Sequence, residues 1–172
     1  YRFYSKKKAL VIDTPGINSF IPKSEDERVT RDILLEEEPE VVVQVADSKN
    51  IRRSLSLTLQ LAEMGLPFVL DLNMVDEAKS RGVYIDPKKL AALLGVEVVP
   101  TTATRREGIG TLINCILTPR KASVTVLYEP DIERAIKEIM DLVPETHISD
   151  RSIAVMFLSG ETGIEEWLAS RL

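Results

Sequence analysis

Three short polar motifs carry the residue types that could hold a nucleotide. The first is Asp13-Thr14-Pro15-Gly16. A carboxylate such as that of Asp13 suits Mg²⁺, usually through a water, because Mg²⁺ prefers oxygen ligands and keeps part of its hydration. Gly16 lets a backbone N–H approach a terminal phosphate without a side chain in the way. Taken alone, this motif is equally compatible with an ordinary turn after a strand.

The second motif, Asn73-Met74-Val75-Asp76, has the chemistry to read a guanine base. A carboxylate at Asp76 can accept two hydrogen bonds, from guanine N1–H and the exocyclic amine, and adenine lacks that pair of donors. Asn73 can donate to guanine N7, and the thioether chain of Met74 can lie along the base. The usual version of the motif has Lys in place of Met74, so an ordinary polar loop remains an alternative interpretation.

The third motif, Thr102-Ala103-Thr104, places a small residue where its backbone N–H can reach the guanine carbonyl. This motif is also weak alone. The order, spacing and placement of all three motifs together favour a single site for GTP or GDP with Mg²⁺.

Alternating strand and helix patterns should position these motifs. Apolar runs that end at turns predict four strands, at Lys8–Asp13, Val41–Asp47, Pro67–Asn73 and Val96–Pro100. Helical patterns lie between and after them, at 25–38 (capped by Ser24), 55–64, 88–94 and 109–117. This alternation predicts a parallel α/β sheet with helices on both faces. The motifs follow the first, third and fourth strands, at the carboxyl edge where such sheets bind ligands.

The composition changes after Pro119, which predicts two parts. Residues 1–119 would form a partial GTP-binding domain, and 120–172 a small helical domain. The second part shows helical spacing at 131–142, 150–158 and 164–172, with an extra strand at Val124–Tyr128.

Bulk properties exclude some classes of function. The 172 residues carry a net charge of −5, which argues against a nucleic-acid partner because such partners need basic surface. No stretch reaches the roughly 20 apolar residues that span a bilayer. The single cysteine, Cys115, excludes an internal disulfide and fits a small core residue. The single histidine, His147, is interpreted as structural.

The motifs and their surroundings resemble the Ras-like GTPases, and more closely the cytosolic GTPase domain of the bacterial ferrous iron transport protein B family. In that family Met is a recurring variant in the Asn-Met-Xaa-Asp motif. The likeness covers nearly the whole chain, and the tail resembles the small helical domain that follows the family's GTPase domain. The segments that carry it are Ser24–Val29, Leu57–Leu61, Leu72–Ala78 and Val99–Ala103, ahead of Glu107-Gly108-Ile109.

The resemblance implies GTP and GDP binding, dependence on Mg²⁺, and slow GTP hydrolysis coupled to Fe²⁺ uptake. It assigns Asp13 to Mg²⁺, Gly16 to the γ-phosphate, Asn73 and Asp76 to guanine, and Ala103 to the guanine carbonyl. It also implies a place at the cytoplasmic face of the cell membrane, next to a transmembrane part of the same polypeptide. A homo-oligomer is compatible with it.

Two expected features are missing from the 172 residues. No Gly-Xaa-Xaa-Xaa-Xaa-Gly-Lys-Ser/Thr phosphate loop occurs, and Ile17 stands where many Ras-like proteins have a water-orienting Gln. The phosphate loop and its central strand are expected before Tyr1, and without them the chain should bind GTP poorly. Two alternatives stay open: a GTPase of a ribosome- or tRNA-related branch, and a non-catalytic interaction module without a phosphate loop.

Overall fold

The structure, a computed structural model, describes residues 9–171, except for the side chain of Thr162. Its centre is a four-stranded sheet in which β1 (Val42–Asp47), β2 (Pro67–Asn73) and β3 (Val98–Pro100) are parallel and adjacent in that order. A short β4 (Arg120–Lys121) pairs antiparallel with the start of β2. The three parallel strands confirm the sequence prediction, with boundaries that differ by at most two residues.

Helices precede, connect and follow the parallel strands, since parallel neighbours cannot be joined by a tight turn. The first, α1, begins where the Ser24 hydroxyl accepts the N–H of Glu27 at 3.3 Å, which confirms the predicted cap. The helix before β2 ends at Gly65, whose φ of 70° suits a residue without a Cβ. These elements are α1 (Glu25–Glu36), α2 (Ile51–Met64), α3 (Val75–Ser80), α4 (Pro87–Leu94) and α5 (Ile109–Ile116).

Both faces of the sheet are covered. Alternate residues of β2 point to opposite sides, so Phe68, Leu70 and Leu72 enter the main core while Val69 packs on the other face. That second face is covered by Leu112 of α5. The predicted arrangement of helices on both faces of a parallel sheet is therefore present.

The first predicted strand is wrong. Residues 9–13 form no strand, and Leu10 and Val11 are 67% and 72% exposed. Lys8, where that strand was expected to begin, lies outside the described residues. A strand needs a neighbour to take its backbone hydrogen bonds. Among residues 9–171, no strand lies on the side of β1 opposite β2, so this apolar segment has nothing to pair with.

The C-terminal part is helical, as predicted, with α6 (Pro130–Met140), α7 (Asp150–Leu158) and α8 (Thr162–Ala169). The predicted strand at 124–128 is absent. Side chains hold that backbone instead: Arg151 donates to the carbonyl of Val126 at 2.7 Å, and Glu133 accepts the N–H of Tyr128 at 2.8 Å. These bonds replace the pairing that a strand would need.

The C-terminal helices pack on α1 and α2 and share one core with the sheet. Trp167 of α8 is buried and donates from its indole N–H to the carbonyl of Leu35 at 3.1 Å. Ile153 of α7 and Leu61 of α2 belong to the same apolar cluster. A division at residues 119 and 120 stays a prediction. Within residues 9–171, none of the helices has the length and apolar character needed to cross a bilayer.

Candidate guanine-nucleotide site

The two predicted base-reading motifs meet at the carboxyl edge of the sheet. Asn73 ends β2, and Ala103 begins a 3₁₀ turn (Ala103–Arg105) after β3. The side-chain oxygen of Asn73 accepts the N–H of Met74 at 2.8 Å and the N–H of Ala103 at 3.2 Å. Because these contacts engage the oxygen, the amide nitrogen of Asn73 is oriented to donate elsewhere.

Asp76 lies in the first turn of α3 and is partly accessible, with 29% of its side chain exposed. Its carboxylate is 3.4 Å from the guanidinium of Arg105, at the end of the facing 3₁₀ turn. The backbone N–H of Val75 donates to the carbonyl of Thr101 at 3.3 Å, which joins the two loops a second time. The carboxylate expected to read the base is therefore placed beside the third motif and paired with a surface cation. Thr102 is buried at the start of this turn, where its backbone pairs with Glu107, and Thr104 lies exposed in the turn.

A buried carboxyl lies behind Asn73. Asp71 is 4% exposed and accepts a hydrogen bond from the Thr101 hydroxyl at 2.6 Å. Burial raises the pKa of Asp71, although the Thr101 hydrogen bond opposes that shift. Thr101 is also 3.3 Å from the side-chain oxygen of Asn73, so these three polar groups form one connected cluster.

A further cation reaches this loop from the end of β1. Asp47 accepts the N–H of Lys49 and the side-chain amide of Asn50, both at 2.9 Å, and so shapes a 3₁₀ turn (Ser48–Asn50). Burial disfavours the charged form of Asp47, but these donors and the nearby lysine outweigh it and keep its pKa below the ordinary value. The turn directs the Lys49 ammonium to 2.7 Å from the Glu77 carboxylate and 3.1 Å from the Met74 sulfur.

The Asp13–Gly16 segment has no regular secondary structure and is held by α1. The Thr30 hydroxyl donates to the carbonyl of Pro15 at 3.2 Å. Glu27 accepts the backbone N–H groups of Lys23 at 2.8 Å and Asn18 at 3.3 Å. These donors, chiefly Lys23, keep the pKa of Glu27 below its usual value against the effect of burial.

The Asp13–Gly16 segment is separate from the other two motifs in its polar contacts. In the described part of the chain, no hydrogen bond or ion pair joins Asp13, Thr14, Pro15 or Gly16 to the other two motifs. Asp13 and Gly16 are exposed, and a Cβ built on Gly16 would meet no atom of residues 9–171 within 4 Å. Open space beside a backbone N–H is compatible with an approaching phosphate.

For Mg²⁺, the fit is limited to one ligand. Residues 9–171 contain no cluster of three or more acidic, histidine or cysteine side chains that could hold a metal ion by themselves. Asp13 supplies one exposed carboxylate, which suits an ion that keeps several waters and phosphate oxygens.

Sequence reasoning missed four residues of this site: Lys49, Asp71, Thr101 and Arg105. Only Asp71 carried a signal, as an acid inside an apolar strand. His147 behaves as interpreted: its ring nitrogen lies 2.9 Å from the carbonyl of Leu34, in a packed position between helices.

The fold and the paired loops define the class of protein: a Ras-like α/β domain with the two predicted base-reading motifs at the carboxyl ends of its strands. A family model described as "Ferrous iron transport protein B" matches residues 1–116. The chain therefore belongs to the ferrous iron transport protein B family.

Individual relatives agree with this assignment. The Fe(2+) transport protein A/Fe(2+) transporter FeoB fusion protein of Porphyromonas gingivalis is 35% identical over 176 residues, covering 95% of this chain and 21% of the relative. The Fe(2+) transporter FeoB of Staphylococcus aureus is 30% identical over 94% of this chain and 26% of its own length. The chain thus spans about a fifth to a quarter of these curated relatives.

Solved structures are similar over most of the chain. The cytosolic domain of L. pneumophila FeoB superimposes with a TM-score of 0.84 at 30% identity, over 90% of this chain and 63% of that one. The cytosolic domain of the T. maritima FeoB iron transporter in its GDP form I gives 0.81 at 31% identity, over 92% and 64%. Its GMPPNP form gives 0.80 at 31% identity, over 92% and 65%.

Proposed function

We propose that this chain is the base-recognition part of a GTP- and GDP-binding domain that regulates a ferrous iron transporter at the cytoplasmic face of the membrane. The observation that carries the proposal is the contact between Asn73 and Ala103. It brings two separate motifs into one loop pair that can read guanine. The GDP and GMPPNP forms of the T. maritima relative support the same ligand class.

In this proposal each motif has one role. The Asp76 carboxylate accepts hydrogen bonds from guanine N1–H and the exocyclic amine after the base has displaced the Arg105 guanidinium. Asn73 donates to N7 from its amide nitrogen, and Met74 lines the base. The N–H of Ala103 donates to the guanine carbonyl. This N–H must then give up its hydrogen bond to the Asn73 oxygen or divide it between the two acceptors.

The phosphate side depends on Asp13 and Gly16. Asp13 would hold Mg²⁺ through a water, and the Gly16 N–H would face the terminal phosphate. Mg²⁺, when bound, neutralises charge on the phosphates as GTP is hydrolysed. Because apolar Ile17 cannot orient a water, we expect hydrolysis to be slow.

Residues 120–172 are proposed as a helical unit between this nucleotide site and a transmembrane part of the same polypeptide. The hydrogen bond from the Trp167 indole to the carbonyl of Leu35 in α1 supports this connection, because the Thr30 hydroxyl of the same helix donates to the carbonyl of Pro15 in the Asp13–Gly16 segment.

The test replaces Asp76, the residue proposed to recognise guanine. In the full-length protein, Asp76→Asn should weaken GDP binding by at least about tenfold, because a site built for a hydrogen-bonded group rejects its mismatch strongly. The same variant should relax the preference toward xanthosine diphosphate, whose 2-oxo group can accept from the new amide. Glu107→Gln, which removes an exposed acid from the loop that carries Ala103, tests whether loss of any neighbouring acid has this effect, and it should keep the guanine preference. Unchanged GDP affinity in Asp76→Asn would refute Asp76 as the base reader.

A further inference from the structure

The backbone of the base-reading turn is held in an unfavourable conformation. Met74 has a φ of 62°, in the left-handed region that residues with a Cβ rarely adopt. A conformation of this kind persists only when its surroundings enforce it. The N–H of Met74 is held by Asn73 at 2.8 Å, and its carbonyl accepts the N–H of Ala78 at 3.0 Å. Both restraints come from the turn and its own helix.

Lys49 adds a restraint from outside the turn. Its side chain is 14% exposed, so most of its length packs against the protein. It lies 2.7 Å from the Glu77 carboxylate, 3.1 Å from the Met74 sulfur and 3.8 Å from the Asp47 carboxylate. Two of these three partners, Glu77 and Met74, lie on the segment that presents Asp76.

We propose that Lys49 is a positioning residue for guanine recognition: it supplies, from the end of β1, the cation that this motif lacks at Met74, and its pairing with Glu77 fixes the turn that presents Asp76 to the base. The inference rests on the proposed function. Asp76 lies between the two points that Lys49 contacts, Met74 and Glu77, so movement at either displaces its carboxylate.

The sequence of the turn after β1 is consistent with this role. Asp47 accepts hydrogen bonds from the N–H of Lys49 and the side-chain amide of Asn50. These bonds hold the backbone from which the Lys49 side chain extends toward α3. The arrangement therefore joins the ends of β1 and β2 by charge, in addition to the backbone ladder that pairs Asp47 with Asn73.

The experiment measures binding of fluorescent GDP and of inosine diphosphate to the full-length protein. Inosine diphosphate lacks the exocyclic amine, so the ratio of the two affinities reports how well Asp76 makes its second hydrogen bond. Lys49→Met should weaken GDP binding by about fivefold, the scale of a partly enclosed charged hydrogen bond, mainly through faster dissociation. It should also lower the preference for GDP over inosine diphosphate.

Three further variants make the test specific. Glu77→Gln should also weaken GDP binding, but by less than Lys49→Met. The double variant Lys49→Met/Glu77→Gln should lose less affinity than the sum of the two single losses, because both substitutions remove the same interaction. Lys49→Arg, which keeps the charge, should recover part of the affinity. Lys79→Met, which removes an exposed lysine from the same helix, should leave affinity and preference unchanged.

The outcomes are distinct. Unchanged GDP dissociation and nucleotide preference in Lys49→Met would overturn the inference, and so would fully additive losses in the double variant. A wild-type protein that does not bind GDP would instead refute the proposed function. Thermal unfolding of each variant separates a displaced turn from a misfolded chain, since a general folding defect lowers affinity for both nucleotides without changing their ratio.

Discussion

The side-chain oxygen of Asn73 lies 3.2 Å from the backbone nitrogen of Ala103, although 30 residues separate them in sequence. The bond exists because β2 and β3 are parallel neighbours whose carboxyl ends meet at one edge of the sheet. It joins two weak motifs into one surface that presents the Asp76 carboxylate and the Asn73 amide nitrogen.

Asn73→Ala should disrupt this surface. The substitution removes the acceptor for two backbone N–H groups and the proposed donor to guanine N7. GDP affinity should therefore fall by at least about tenfold, as for sites left with unpaired polar groups. Equilibrium titration with fluorescent GDP checks this. Asn114→Ala, at an exposed position of α5, is the matched control and should bind like the wild type. Equal affinity of all three proteins would show that Asn73 does not organise the site.

Arg105 should act against guanine binding. Its guanidinium pairs with the Asp76 carboxylate at 3.4 Å, so a base read by Asp76 would have to displace it. Exposed ion pairs contribute about 0.2–1 kcal/mol, so Arg105→Gln should tighten GDP binding by roughly 1.4- to 5-fold at low salt. The difference should shrink as salt rises, because salt screens the pair.

Arg106→Gln is the control for Arg105, since it removes a positive charge from the same turn at the neighbouring position. It should change GDP affinity less than Arg105→Gln does. Weaker GDP binding by Arg105→Gln would mean that Arg105 contacts the nucleotide and does not merely compete for Asp76.

An ion pair in the helical part should make stability depend on pH. Glu133 accepts from Arg151 at 2.7 and 2.9 Å, and these bonds, with the N–H of Tyr128, lower the pKa of Glu133 to about 2. A lowered folded-state pKa contributes stability that is present above the unfolded pKa and is lost as pH falls through the folded one. The contribution should therefore be complete above the ordinary value of 4.5 and disappear toward pH 2.

Glu133→Gln should accordingly be less stable than the wild type at neutral pH, with the difference closing between about pH 4.5 and 2. Urea denaturation at a series of pH values measures it. Glu138→Gln, on the exposed face of the same helix, should run parallel to the wild type. A constant difference across that range would contradict a titrating Glu133 as its source.

The sequence predicted the features that depend on local residue patterns and missed those that depend on contacts between distant residues. The strand at Pro67–Asn73 and the Ser24 cap depend on local patterns, and both are present. The apolar run at 9–13 has an equally good local pattern, but a strand also needs a neighbour, which periodicity cannot report. Lys49 was missed because its partners Met74 and Glu77 lie 25 and 28 residues away and meet it only through the sheet.

Substitution of Trp167 should show how much the contact between α8 and α1 contributes to the free energy of unfolding. The indole is 5% exposed, donates to the carbonyl of Leu35, and lies under the guanidinium of Arg171 at 4.4 Å from the ring centroid. Trp167→Ala should cost about 3–5 kcal/mol of unfolding free energy, because it leaves a large cavity. Trp167→Phe should cost less, since the carbonyl of Leu35 also accepts from Arg171. Phe157, which is 42% exposed on α7, provides the control, and its replacement by Ala should have a small effect. Equal losses for Trp167→Ala and Phe157→Ala would show that α8 is not held through this contact.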